Sequence, residues 1–140
     1  MASEKLTDHA ERGLSELLRL RTARSTGLRT ILFVCTGNAI RSQIAEGIVN
    51  HFFGGKWAAF SAGTMPLGVQ KDTIAVMREI DIDLSGQFAK NVDLFKDCAF
   101  DQVVILCSDA GSRCPVFPYA GKTDHMTFDD PLSPDILAGA

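Results

Sequence analysis

The sequence contains no long apolar run. Nothing in it approaches the roughly 20 consecutive apolar residues that a membrane-crossing helix needs, so no membrane partner is expected. An excess of positive charge is also missing: 14 lysines and arginines face 17 aspartates and glutamates, for a formal net charge of -3. Proteins that grip nucleic acid usually present a basic face, so nucleic acid is not expected as a partner, although a local basic pocket remains open. The opening residues MASEKLTDHAERG are charged and lack the apolar core of a secretory signal. Cysteine is scarce, with four in 140 residues. That is no disulfide scaffold, and in a reducing compartment cysteines at telling spacings are more often catalytic or metal-binding. A cytoplasmic location follows as the expectation. Internal repeats and low-complexity segments are absent as well.

What is present suits one domain. The chain length fits a single core, and 46% hydrophobic with 22% charged residues is ordinary for a globular protein. Residues 4–24 carry Leu6, Leu14, Leu17, Leu18 and Leu20 at helical spacing without sharp caps. Residues 1–28 therefore read as a helical arm or linker, either solvated or packed on the domain or a partner, and residues 29–140 as the domain proper.

Within the domain, Thr30–Cys35 (TILFVC) reads as a buried parallel strand, and Ser42–Phe53 as a helix with Ile44, Ala45, Ile48, Val49, Phe52 and Phe53 on its apolar side. Gly54-Gly55 stops that helix. Lys56–Ala62 is a second strand. Val69–Ile80 is a helix with Ile74, Ala75, Met77 and Ile80 turned inward, and Val92–Lys96 is a short helix. Phe100–Leu106 is a third strand, and Thr123–Met126 a short fourth one. The order βαβαβ predicts an α/β fold, a four-stranded parallel sheet flanked by helices.

Open α/β sheets bind ligands beyond the C-terminal ends of their strands. Cys35 stands there, followed by Thr36, Gly37, Asn38, Ala39 and Ile40, and then by Arg41 and Ser42 at the start of a helix. Backbone N–H groups of such a loop can converge on one point, and the helix N-terminus adds positive partial charge. Arg41 brings a planar fork for two oxygens of a tetrahedral anion. Ser42 can donate a hydroxyl hydrogen to the cysteine sulfur. These elements favour an anion and should stabilise the Cys35 thiolate, a nucleophile in attack position. A cysteine closing a buried strand is commonly only core; the frame of strand, CTGNAIRS and helix makes that reading of Cys35 the weaker one.

At CTGNAIRSQIAEG, FSAGT (Phe60–Thr64) and Asp130-Pro131 the sequence resembles the low-molecular-weight protein tyrosine phosphatases and the arsenate reductases that share their fold. The resemblance runs from about Arg29 to Pro131 and implies Cys35 as nucleophile and Asp130 as general acid. Asp129 would orient the loop, and His125 is assigned no chemical role. Cys107 closes strand three and Cys114 follows in CSDAGSRCP, similar to the redox segment of thioredoxin-coupled arsenate reductases. That likeness implies a relay in which Cys107 attacks the Cys35–arsenic adduct and Cys114 then attacks Cys107, with thioredoxin or a similar thiol as reductant and no cofactor. Leu132 and Ser133 stand where family phosphatases usually carry aromatics, which favours a small inorganic substrate. Cys98 has no evident partner and reads as a small buried hydrophobe, and no zinc site is expected. A phosphatase with idle extra cysteines and a non-catalytic oxyanion-binding or redox-sensing module remain the alternatives.

Three departures from the family pattern carry expectations. Ile40 stands where many relatives place a second loop cysteine. Some reductases hold a potassium ion with Asn, Glu and Ser side chains and an Asp; Asn38, Glu46 and Ser61 match, but Lys90 stands in the place of the Asp. The expectation is a vestigial cation site in which the Lys90 ammonium replaces the metal and pairs with Glu46. Finally, relatives continue past Pro131 into a C-terminal helix that is shortened or absent here, so residues 4–24 are expected to cover the gap, or the chain to form a homodimer.

Overall fold

The computed structural model describes residues 2–106 and 117–126, with side chains from residue 8 onward. Cys107, Cys114, Asp129 and Asp130 lie outside the described residues. Helix α1 spans Ala2–Ser25, strand β1 Arg29–Cys35, helix α2 Arg41–Phe53, strand β2 Trp57–Gly63 and helix α3 Lys71–Arg78. A 3₁₀ turn at Val92–Leu94 precedes β3 (Gln102–Ile105) and β4 (Lys122–His125). The four strands form one sheet in the order β2-β1-β3-β4, every neighbouring pair parallel.

Alternation along the central strands splits the core between the two sheet faces. Leu32, Val34, Phe60, Val103 and Ile105 point to one face. There Phe60, Phe95 and Phe100 meet edge to face, with ring centroids 5.6–5.9 Å apart. Leu20 and Ala23 of α1 are buried in this cluster and Leu17 packs on it. The N-terminal segment is thus part of the domain's packing and covers this sheet face. Ile31, Phe33, Cys35, Ala59, Val104 and Leu106 point the other way, under Ala45 and Val49 of α2. Ile44 and Ile48 of α2 join Ile74, Met77, Ile82 and Leu84, tying α3 and its following loop to the rest.

Several expectations need correction. Phe52 and Phe53, in the last turn of α2, are exposed rather than on an inner face. The fully buried stripe of α2 is instead Ser42, Gln43, Glu46 and Gly47. Helix α3 is shorter than predicted, with Ala75 and Ile80 exposed and Thr73 and Met77 inside. Its start is delayed because Gln70 is extended, its N–H bonded to the Ala39 carbonyl at 3.3 Å. Its end is set by Asp81 at φ 62, a left-handed residue that turns the chain back toward Met77. The segment after Asn91 makes one 3₁₀ turn, held by the Asp93 N–H donating to the Asn91 side chain at 2.9 Å.

β2 is an edge strand, and its outward backbone groups at Ala59 and Gly63 are occupied. Asn50 of α2 accepts from the Ala59 N–H at 2.8 Å and donates to the Ala59 carbonyl at 3.1 Å. Further along, the Gly63 N–H donates to the Lys90 carbonyl at 2.8 Å, which lays residues 88–91 alongside the strand end.

Candidate active site

The loop between β1 and α2 is shaped by the chain that follows β2. The carbonyls of Cys35, Thr36, Gly37 and Ala39 accept from the N–H groups of Thr64, Met65, Leu67 and Gln70 at 2.8–3.3 Å. In a trans peptide the next N–H points opposite to the carbonyl. Turning these carbonyls outward therefore turns the amides of Thr36, Gly37, Asn38 and Ile40 inward. The Asn38 amide shows the result directly, donating to Cys35 Sγ at 3.1 Å. Asn38 sits at φ 48, the left-handed conformation that asparagine tolerates better than most residues. Gly63 closes against this loop so tightly that a Cβ there would meet the Thr36 carbonyl oxygen at 2.6 Å and the Asn38 nitrogen at 2.8 Å. The FSAGT motif thus has a steric reason for its glycine.

Cys35 is buried at the end of β1. Its sulfur lies 2.8 Å from Ser42 Oγ. Asn38 Nδ2 donates to the same Ser42 oxygen at 2.7 Å, which leaves the Ser42 hydroxyl hydrogen for the sulfur. Arg41 Nη1 donates to the Leu106 carbonyl at 3.0 Å, joining the start of α2 to the end of β3, one residue before Cys107. The first turn of α2 holds no acidic residue, and Ile40 as N-cap makes no side-chain cap. This helix N-terminus is left to an anion.

These groups surround a cavity of about 40 Å³ lined by Cys35, Thr36, Gly37, Ala39, Ile40, Arg41 and Leu67. A water needs roughly 10–15 Å³ of such space, so the cavity takes a few atoms the size of oxygen. Of the expected oxyanion-binding residues, all but Asn38 line it. The Asn38 side chain instead binds Ser42, Gln43 and Lys90, and the residue serves the site through its backbone. Leu67 on the rim was not expected; an exposed leucine in a loop gives no signal in the sequence.

Behind the loop lies a buried charged cluster. Lys90 N–H donates to Asn38 Oδ1 at 2.8 Å, and Gln43 Nε2 donates to the same oxygen at 2.9 Å. The Lys90 ammonium donates to the Phe88 carbonyl at 2.7 Å and stands 3.8 Å from Glu46 Oε1. Ser61 Oγ donates to that carboxylate at 3.2 Å. Arg19 of α1 approaches it at 3.9 Å. Burial pushes the Glu46 carboxyl above its ordinary range, against the pull of Lys90 and Arg19. Burial likewise pushes Lys90 down, against the pull of Glu46. The cluster does not suit a metal ion: Asn38 Oδ1 already accepts two N–H groups and an ammonium stands at Glu46. Among the described residues no group of three or more His, Cys, Asp or Glu side chains could hold one. A larger recess of about 400 Å³ between α1, α2 and residues 86–88 borders this cluster and lies away from Cys35.

His125 is exposed at the end of β4. Cys98 is half-buried against the aromatic cluster, and burial raises its thiol pKa, with Asp97 adding to the effect.

Residues 30–133 match the low molecular weight phosphotyrosine protein phosphatase family. The chain belongs to that family. The curated relatives at 42–45% identity are arsenate reductases, and the solved structures of similar fold include arsenate reductases and a tyrosine phosphatase of Erwinia amylovora. An arsenate reductase of Staphylococcus saprophyticus is 45% identical over 103 residues, covering 74% of this chain and 79% of the relative. A solved arsenate reductase in its phosphate-binding state superposes with TM-score 0.65 at 30% identity, covering 80% of this chain and 87% of its own. A thioredoxin-dependent arsenate reductase of Corynebacterium glutamicum shares the fold over 94% of this chain and 64% of its own, with TM-score 0.64 at 24% identity.

Proposed function

We propose that this protein is an arsenate reductase, an enzyme that converts arsenate to arsenite with electrons from thiols. The observation that carries the reading is the small amide-lined cavity at Cys35 in a chain whose relatives of 45% identity are arsenate reductases. Cys35 Sγ attacks arsenic in the bound oxyanion, and an arsenic-bound oxygen leaves as water with a proton from Asp130. Arg41 and the loop amides hold the remaining oxygens throughout. Cys107 then attacks Cys35 Sγ; the sulfur–arsenic bonding pair passes to arsenic, which leaves as arsenite, and a Cys35–Cys107 disulfide remains. Cys114 attacks Cys107 and returns Cys35 as the thiolate. A thioredoxin or similar dithiol reduces the Cys107–Cys114 bridge. The roles of Cys107, Cys114 and Asp130 rest on the sequence likeness. A reducing, cytoplasmic setting suits this cycle.

In the same reading the Lys90 ammonium stands in for the monovalent cation of some relatives. Arsenate reduction is then expected to run equally in potassium and sodium salts at matched ionic strength, and a strong rise with potassium contradicts this part.

Thiol counting tests the whole. Reduced protein mixed with arsenate, without external reductant, should lose two thiols per arsenite formed. In Cys114→Ser the disulfide should instead be trapped between Cys35 and Cys107. Hydrolysis of p-nitrophenyl phosphate without thiol loss would identify a phosphatase. Phosphate binding with neither reaction would leave a binding module.

A further inference from the structure

Helix α1 does more than cover the sheet. Arg19 leaves it near the buried Leu20 and crosses the edge of β2. Its guanidinium stacks over the Phe60 ring at 3.8 Å, and Nη2 donates to the Ala59 carbonyl at 2.8 Å. Nε is held from the other side by Glu16 Oε2 at 2.7 Å. Fixed by these contacts, Nη2 stands 3.9 Å from Glu46 Oε1. Glu46 is only 2% exposed and faces Lys90, which is 1% exposed. The path continues along the lysine to its main chain: the Lys90 backbone N–H donates to Asn38 Oδ1, Asn38 Nδ2 donates to Ser42 Oγ, and Ser42 Oγ lies 2.8 Å from Cys35 Sγ. A buried carboxylate needs compensating charge to stay ionised, and among the described residues the two cations within 4 Å of Glu46 Oε1 are Lys90 and Arg19.

We propose that Arg19 is a positioning residue for the anion site: it shares with Lys90 the balancing of Glu46, and so holds the Lys90–Asn38–Ser42 path that sets Cys35 and its loop. The N-terminal helix is then a working part of the active site although it touches no substrate. Groups that orient a reactive centre from behind can matter as much as its direct contacts. The proposal rests on the reading of Cys35 as the anion-binding nucleophile.

The test follows Cys35 itself. The full chain is alkylated with iodoacetamide at fixed pH, the Cys35 peptide is quantified by mass spectrometry, and the phosphate concentration that protects it is measured. Arg19→Gln keeps a hydrogen-bond donor but removes the charge. It should require about tenfold more phosphate for protection and raise the KM for arsenate by a similar factor, the scale of a slight misplacement of supporting groups. Arg19→Lys should recover most of the loss. In a Glu46→Gln background, Arg19→Gln should add nothing, because the carboxylate it serves is gone. Unchanged phosphate protection in folded Arg19→Gln overturns the proposal, as does an undiminished effect of Arg19→Gln in the Glu46→Gln background. If Arg19→Gln fails to fold, Glu16→Gln takes its place; it should shift protection the same way by a smaller factor, and no shift there overturns the proposal. Failure of phosphate and arsenate to protect Cys35 in the unmodified protein would instead refute the reading of the site itself.

Discussion

Two clusters of buried polar groups sit back to back in this protein and are wired in opposite ways. Around Cys35 the donors converge on a cavity, the helix end is uncapped, and the first turn of α2 contains no acid. Around Glu46 the charges are matched within the protein, with Lys90 and Arg19 set against Glu46 and Glu16. The first cluster leaves its electrostatics incomplete until an oxyanion arrives. The second completes its own and thereby becomes a rigid backing. Asn38 belongs to both, its amide on the Cys35 sulfur and its side-chain oxygen on Lys90.

The contrast predicts unequal responses to substitution. Cys35→Ser should abolish arsenite formation, at least about 10⁴-fold as for loss of a nucleophile, while the fold and its melting temperature hold; an arsenite assay with thermal melts checks both. Arg41→Lys keeps the charge but loses the planar fork, and should lower kcat/KM for arsenate by about 100-fold. In the backing cluster the larger effect should fall on stability. Lys90→Met leaves the buried Glu46 with the half-exposed Arg19 as its remaining cation and should cost about 3 kcal/mol. Lys90→Met with Glu46→Gln should cost much less, and urea melts of the two variants compare them. Equal losses would break the contrast, since Glu46 would then need no partner.

The same pair sets a dependence on pH. The folded-state pKa of Glu46 is raised from 4.5, so the native state binds that proton more tightly than the unfolded chain. Its contribution is therefore lost as pH rises from the ordinary carboxylate range to the raised value. Lys90 is lowered from 10.5, so the unfolded chain binds that proton more tightly, and stability is recovered as pH rises from the lowered value toward 10.5. The Lys90→Met and Glu46→Gln double variant should flatten the stability–pH curve within both windows. The smallest effect belongs to Cys98, whose thiol is pushed up by burial. Cys98→Ser should leave arsenate reduction unchanged, and Cys98 should alkylate more slowly at pH 8 than a free cysteine of pKa about 8.5.

The sequence made the first cluster readable because its parts are contiguous. Strand, loop, Arg41 and Ser42 occupy one stretch, and apolar alternation places the strand. Helix α2 was legible in part. Ile44, Ala45, Ile48 and Val49 do face the core, but Ser42, Gln43 and Glu46 are more deeply buried because the loop, Ser61 and residues 88–90 offer them partners. The Lys90–Glu46 pair was legible through the family likeness alone, since 44 residues separate the two. Arg19 and Leu67 were not legible. Nothing local distinguishes one arginine on a polar helix from its neighbours, and what gives Arg19 its place is the Ala59 carbonyl 40 residues away.

The edge of β2 has a consequence for how the molecule behaves in company. An open parallel edge is a template on which another chain can add a strand, the first step of domain exchange or fibril growth. Here the Ala59 rung is taken by Asn50 and Arg19, and the Gly63 rung by Lys90. An incoming strand would find these main-chain groups already bonded within the chain. Asn50 thereby acts as a guard against self-association, and its loss would be felt first in a concentrated solution of the protein rather than in the test tube of an activity assay.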